Sequence, residues 1–316
     1  MIPANPVRTG PPMMRDSLRD VEDALRTFRE DIGLFARYDS LRLTTYQTQE
    51  GLHEKIRVSS IESATALRFD DVGYFNRVYA PDDSVAERMG EIEAFYDGCP
   101  FPCELIGPPG ESSGQLDHAC RTRGWAPGYA YAWLYGPVSR AITQVRAPGG
   151  YTVRSPRDEE RTRFFQCYLR AFEALPDRFP GAIRNMRHLF DRPELSFLMA
   201  FEDDEPAGIG MLYKQGDAAV LCAGATVPEH RENGCHAALL AARIELAAHL
   251  GCERLFSWAA AGGQSQANME RVGLQTVGVT HAWRYHPMAR TSDIPRKRVT
   301  AERAVSVIRT GNSPLR

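Results

Sequence analysis

An apolar run from Ala218 ends at Val227 and Pro228. The chain then passes through Glu229, His230, Arg231, Glu232 and Asn233, reaches Gly234, and enters an Ala- and Leu-rich segment. A helix that starts straight after a strand leaves its first backbone N–H groups without partners, and its dipole adds partial positive charge there. Gly234 lets a ligand approach the backbone, and Arg231 adds a cation with a planar fork of donors. Together these make a seat for a phosphate or pyrophosphate. Pro228 cannot donate to a sheet ladder, so pairing is expected to stop near it. The strand would then splay from its neighbour and offer free N–H and C=O groups to an extended ligand. Arg-x-x-Gly alone occurs in many strand-to-helix turns. Here a long strand precedes it, an Ala-rich helix follows it, and SQANMERVGL (265–274) lies downstream.

VPEHRENGCHAALL resembles the acyl-coenzyme A signature of the GCN5-related N-acetyltransferases (GNAT), and SQANMERVGL resembles that family's Ser-x-x-Asn helix. The order of elements from Tyr151 to His286 is similar to the whole domain. Residues 40–140, with YFNRV, EIEAFYDG and TRGW, are similar to the degenerate first half of tandem members. The resemblance implies a mixed α/β sheet with two tandem GNAT-like domains, the C-terminal one carrying the acyl-CoA site. It implies direct acyl transfer to an amine. Arg231, Glu232, Asn233, Gly234, Cys235 and His236 would wrap the pyrophosphate. Ala225, Thr226 and Val227 would bond the pantetheine arm, with the Val227 N–H as oxyanion donor to the thioester carbonyl. Ser265 and Asn268 would touch the pantetheine or the adenosine end. His236 departs from the usual Gly or Ala, Leu274 replaces Phe, and Met269 stands where many members carry a Tyr that protonates the leaving thiolate.

An ammonium must lose a proton before it attacks a thioester, which calls for a general base or a water relay. The strand DAAVLCAGATV has no carboxylate beyond Asp217, and Cys222 reads as a packed thiol. Glu229 is either a base or a solvated turn residue. His281 is a candidate base and Tyr285 a candidate acid on the final strand, where acceptors enter this fold. Asp177 and Arg178 follow the first helix of this half and could select acceptor charge. The first half has no Arg-x-x-Gly-x-Gly before a helix, so one active site is expected, with the first half shaping the acceptor cleft. Asn76 and Arg77 form a polar pair there.

The elements that must position these residues alternate. Leu18, Val21, Leu25, Phe28, Ile32 and Phe35 predict a helix over 15–37. Strands are expected at 55–61, 64–68, 103–106, 129–135, 151–154, 196–201, 208–213, 218–227 and 254–258, with two more within 274–285. Helices are expected at 83–96, 115–123, 158–173, 181–189, 232–250 and 265–272. RAPGG (146–150) is the linker. The expected organisation is an arm at 1–14, a degenerate GNAT-like domain at 15–145, the acyl-CoA domain at 150–287 and a basic tail at 288–316.

A hydrophobic fraction of 43%, a charged fraction of 25% and a net charge of −2 describe a globular chain without a nucleic-acid or membrane signature. No apolar run approaches the roughly 20 residues of a membrane span. Seven Cys, an odd number, fit buried thiols in a reducing compartment, and a cytoplasmic protein is expected. Cys99 and Cys103 could pair. No metal is expected. The implied reaction is an N-acyl transfer from acetyl-CoA or another acyl-CoA to a small-molecule amine acceptor. The alternatives are an acyl-CoA-binding module without turnover and a GNAT-like malonyl-thioester decarboxylase. Acceptor and oligomeric state are not legible.

Overall fold

The computed structural model describes residues 23–28, 32–109, 114–144, 149–174 and 182–287. In the first half, helix α1 (Gly33–Gln47) leads to β1 (Ile56–Ile61), β2 (Ala64–Phe69) and β3 (Arg77–Tyr79). Then follow α2 (Met89–Phe95), β4 (Cys103–Ile106), α3 (Gln115–Thr122), β5 (Ala126–Pro137) and α4 (Val138–Gln144). The second half runs β6 (Thr152–Arg154), α5 (Arg161–Ala171), α6 (Ala182–Met186), β7 (Leu195–Glu202), β8 (Glu205–Gln215) and β9 (Ala218–Thr226). It ends with α7 (Cys235–His249), β10 (Arg254–Ala260), α8 (Gln264–Arg271) and β11 (Gln275–Tyr285). The expected mixed α/β architecture is present.

All eleven strands join one sheet in the order β1-β2-β3-β4-β11-β5-β10-β9-β8-β7-β6. Only β3–β4 and β9–β10 are parallel, so the first half builds three antiparallel strands and the second half four, each followed by one parallel neighbour. The halves meet through an exchange. β5, from the first half, lies between β10 and β11, and β11, from the second, lies between β4 and β5. The two strands expected within 274–285 are one strand, whose register shifts at Thr276/Gly278 and His281/Trp283 let it bend without ending.

The first helix also differs from its expected bounds. Residues 23–28 are helical and α1 continues to Gln47, beyond the apolar stripe that ends at Phe35. The continuation is buried through polar residues, among them Asp39, Arg42 and Thr45, so hydropathy periodicity does not report it. α1 lies across the middle of the sheet. Phe35 packs edge-on against Trp133 of β5 (4.9 Å) and Trp258 of β10 (4.8 Å), and Phe28 meets Trp133 and Phe256. Burying a ring like Phe35 contributes about 2–3 kcal/mol. α5 and residues 182–191 share this face, while α4, α7 and α8 cover the other. All seven cysteines are buried free thiols. Among the described residues no helix is long and apolar enough to cross a membrane, and no cluster of His, Cys, Asp and Glu could hold a metal ion. The arm, the tail and most of the linker lie outside the described residues.

Candidate functional site

β9 and β10 pair over only three residues, Ala218–Val220 against Arg254–Phe256. Beyond that β10 stays with β5, through Ala260 opposite Tyr131, and β9 stays with β8, through Thr226 opposite Gly208. The two strands therefore diverge. Ser257 marks the point: its hydroxyl, not its backbone, donates to the Leu221 carbonyl at 2.9 Å. Pro228 is not the cause, since pairing with β10 has ended at Val220. β9 also carries a bulge, with Ala223 at φ 46° and a register shift opposite Ile209–Met211.

Beneath the bulge lies a residue the sequence reading missed. Arg243 of α7 is 2% exposed. It donates to the Leu239 carbonyl at 3.0 Å and the Cys222 carbonyl at 3.3 Å, and has no carboxylate partner among the described residues. Burial pulls its pKa down to about 10. A Cβ on Gly224 would sit 2.6 Å from one guanidinium nitrogen, and a Cβ on Gly210 would sit 2.9 Å from Nε. Glycine at both positions leaves the space the guanidinium fills. A lone Arg in an Ala/Leu helix behind two strand glycines was the available signal.

The turn that follows is held from three sides. His230 contacts Glu202 of β7 at 2.9 Å. Arg231 pairs with Glu173 at 2.6 Å and donates to the Ala171 carbonyl at 3.2 Å, so its side chain is committed to the end of α5. Glu232 and Gly234 both take positive φ, 66° and 87°, and Gly234 is the residue from which α7 starts. Cys235 is buried beneath the turn, and Glu232 and Asn233 are exposed. His236 and Asn268 come together at 3.2 Å, joining the starts of α7 and α8. Burial, with Arg243 nearby, lowers the His236 pKa to about 4, so the ring is neutral at pH 7. Asn268 also meets Gln264 at 2.9 Å and Arg271, and Ser265 is exposed on the first turn of α8. In the first half the helical turn after β3 starts at Asp82, whose carboxylate accepts from Ser84 N–H at 2.9 Å. An acid already fills the place an anion would take there.

The Val227 N–H donates to the Ala207 carbonyl at 2.9 Å and so belongs to the β8–β9 ladder. This removes it as the oxyanion donor. Along a strand successive N–H groups alternate edges, so that of Thr226 faces the side β10 has left. Glu229 is exposed and pairs with Arg170 at 2.9 Å. His281 is exposed on β11, three strand spacings from β9, about 14 Å. Tyr285 stacks on Trp125 at 5.0 Å inside the first half's core, opposite Cys103 of β4. The strand exchange thus carries both away from the divergence. Met269 is 3% exposed and packed in the α7–α8 core. Asp177 and Arg178 lie outside the described residues.

What does face the divergence is the polar half of α1. Tyr38 lies 5.7 Å from Tyr213 of β8 and 6.4 Å from Trp258 of β10. Burial raises its pKa well above the ordinary phenol value, so it holds its proton at neutral pH. Beyond it, Asp39 accepts from Arg42 at 3.3 Å, from Arg77 of β3 at 3.0 Å and from the Tyr79 hydroxyl at 2.6 Å. All four are buried. Arg77 was singled out in sequence; Tyr38, Asp39 and Arg42 were not.

Residues 158–273 match the model of the acetyltransferase (GNAT) family. No curated protein matches the chain. Among solved structures, the chain is similar to a GCN5-related N-acetyltransferase from Kribbella flavida, at 15% identity and TM-score 0.54, over 79% of this chain and 94% of that one. It is similar to a GCN5-related N-acetyltransferase from Sphaerobacter thermophilus at 14% identity and TM-score 0.54, covering 75% and 82%. A tandem GNAT protein from the clavulanic acid biosynthesis pathway aligns at 13% identity and TM-score 0.51, covering 70% and 78%. These structures share the fold.

Proposed function

We propose that this chain, which carries a GCN5-related N-acetyltransferase domain at residues 158–273, transfers an acyl group from an acyl-CoA, acetyl first among them, directly to a small-molecule amine. The observation that carries the reading is the divergence of β9 and β10 above a helix that starts at a positive-φ glycine. A pantetheine arm is an extended polar chain, and the free edge of β9 is what such a chain pairs with. Backbone N–H groups from Glu232 to His236 would hold the pyrophosphate at the start of α7. Asn268 would fix its far end through His236. The thioester supplies an activated acyl carbonyl. The Thr226 N–H takes the role of oxyanion donor, and Arg243 gives a fixed positive charge behind β9 that costs no reorganisation during the reaction. Tyr38, protonated and set against Trp258, is the proton donor to the leaving thiolate that Met269 cannot be. The amine approaches from the α1 side.

A second reading, an acyl-CoA-binding module without turnover, draws on the same geometry. Glu229, His281 and Tyr285 all point their chemistry elsewhere. Calorimetric titration with acetyl-CoA, beside Gly234→Trp, tests the common premise. A side chain at φ 87° is strained and would fill the seat, so micromolar binding lost in a variant that still melts cooperatively supports the site. A folded wild type that binds no acetyl-CoA sinks both readings. Thiol release on adding amines then separates transfer from binding.

A further inference from the structure

We propose that the buried Arg42–Arg77 pair binds a substrate carboxylate, so that the protein handles carboxylic-acid-bearing substrates, in the first instance amino acids. The proposal deepens the transferase reading and rests on it. Arg42 and Arg77 are 3% and 6% exposed, and both stay charged at any physiological pH. Asp39, 0% exposed, is the one carboxylate paired with either of them among the described residues, and it gives one oxygen to each. Glu104 of the adjacent strand is engaged by Arg284 at 3.0 Å and by the Tyr131 hydroxyl at 2.9 Å. Among the described residues two buried cations therefore face one anion, and an uncompensated buried charge is costly. The surplus is one positive charge, which a single carboxylate neutralises and a phosphate dianion exceeds.

The donors for that carboxylate are in place. The Nε atoms of Arg42 and Arg77 are buried and have no hydrogen-bond partner among the described residues. Buried polar atoms of native proteins are otherwise almost always bonded. The two guanidinium groups flank one ring, Tyr74, at 5.7 and 4.3 Å, and Arg42 lies 4.6 Å from the centre of Phe75. Rings hold the planar forks flat, the geometry that reads a carboxylate.

The position points to substrate. Tyr38 is at the mouth of the β9–β10 divergence and Arg42 one helical turn further, a rise of about 6 Å. A carboxylate on Arg42 and Arg77 therefore leaves room for a short linker to the reacting centre. That fits an α- to γ-amino acid as acceptor, or the terminal carboxylate of a dicarboxylic acyl group on the donor. α1 closes over the cluster, so binding requires that helix to shift, and the apparent affinity falls by the fraction of open molecules.

The test uses the full chain and thiol release from acetyl-CoA. The acceptors are the proteinogenic amino acids, β-alanine and γ-aminobutyrate, each beside its methyl ester. A donor arm compares succinyl-CoA with acetyl-CoA on ethylamine. Variants are Arg42→Met, Arg77→Met, Arg77→Lys and Asp39→Asn. Free acids are expected to exceed their esters in kcat/KM, and each Met variant to erase about 10- to 100-fold of that ratio while acetyl-CoA affinity is kept. Arg77→Lys restores part of it. Asp39→Asn adds to the charge surplus, and acetate at millimolar concentration should raise its Tm more than it raises that of the wild type. A succinyl preference lost in Arg77→Met would assign the carboxylate to the donor. Esters matching acids with no succinyl preference, or no acid acceptor and no succinyl turnover in a protein that binds acetyl-CoA, overturns the proposal. So does an acetate shift in Asp39→Asn no larger than that of wild type. Absent acetyl-CoA binding instead condemns the transferase reading itself.

Discussion

Gly224→Ala adds one methyl group, and its cost can be worked from the contacts around it. The new Cβ would lie 2.6 Å from one terminal nitrogen of Arg243, 2.9 Å from the other and 3.1 Å from the guanidinium carbon. The far side of the group offers no easy retreat, because Gly210 already approaches Nε to within 2.9 Å of a notional Cβ. The guanidinium must withdraw, which breaks its bond to the Cys222 carbonyl and leaves a buried cation worse solvated. A charged hydrogen bond is worth about 1.5–3 kcal/mol, and the orphaned carbonyl adds about 1–3 kcal/mol. We expect Gly224→Ala to destabilise by about 3–4 kcal/mol. Arg243→Met sets the comparison. The drop from the ordinary 12.5 to about 10 corresponds to about 3 kcal/mol of desolvation that the apolar side chain escapes, against a similar loss at the Cys222 carbonyl. Arg243→Met should thus shift stability by less than about 2 kcal/mol. In its background Gly224→Ala should cost under about 1 kcal/mol, since the clash is gone. Urea denaturation of the four proteins gives the coupling energy, expected at about 2–3 kcal/mol. Additive costs would refute this account of the bulge. If the charge also stabilises the oxyanion, then at an assumed separation of about 7 Å and an effective dielectric of about 20 Arg243→Met loses about 2.4 kcal/mol of transition-state stabilisation, about 50-fold in kcat/KM.

Two further outcomes follow from the placement of single residues. His281→Ala, at an exposed position on β11, should leave kcat/KM within about twofold, and a steeper loss in an amine acetylation assay would return His281 to the site. His236 has its folded pKa near 4, below the unfolded value of about 6.5, so the unfolded chain binds the extra proton first. Stability should therefore fall as pH drops from about 6.5 to about 4, and His236→Gln should flatten that slope in pH-dependent melts. An unchanged slope would mean that the ring is not held neutral.

The legible parts of this chain are those in which side-chain pattern and local geometry coincide. Gly234 must take positive φ to start α7 from the turn, and the sequence announces this through the long apolar β9 on one side and an Ala-rich helix on the other. What failed were inferences about reach. Tyr285 and His281 follow the site closely in sequence, and nothing local reveals that β11 leaves its own half to pair with β4. Val227 directly follows β9, but the edge its N–H faces depends on a bulge at Ala223 that no hydropathy pattern encodes.

The polar half of α1 was missed for a related reason. Asp39, Arg42 and Thr45 are buried, whereas helix periodicity assumes polar residues face water. The exchange of β5 and β11 explains why such a helix can exist. β5 holds both Trp133, on which Phe35 packs, and the strand that fixes β10 on the far side of the divergence. The first half therefore contributes both β5, beside β10, and α1, packed over the divergence, to the surroundings of the β9–β10 gap. Neither half closes its own sheet without the other's strand, so the face over the β9–β10 divergence is a product of both halves. In the first half the corresponding helix start is capped by its own chain, the Asp82 carboxylate accepting from the Ser84 N–H.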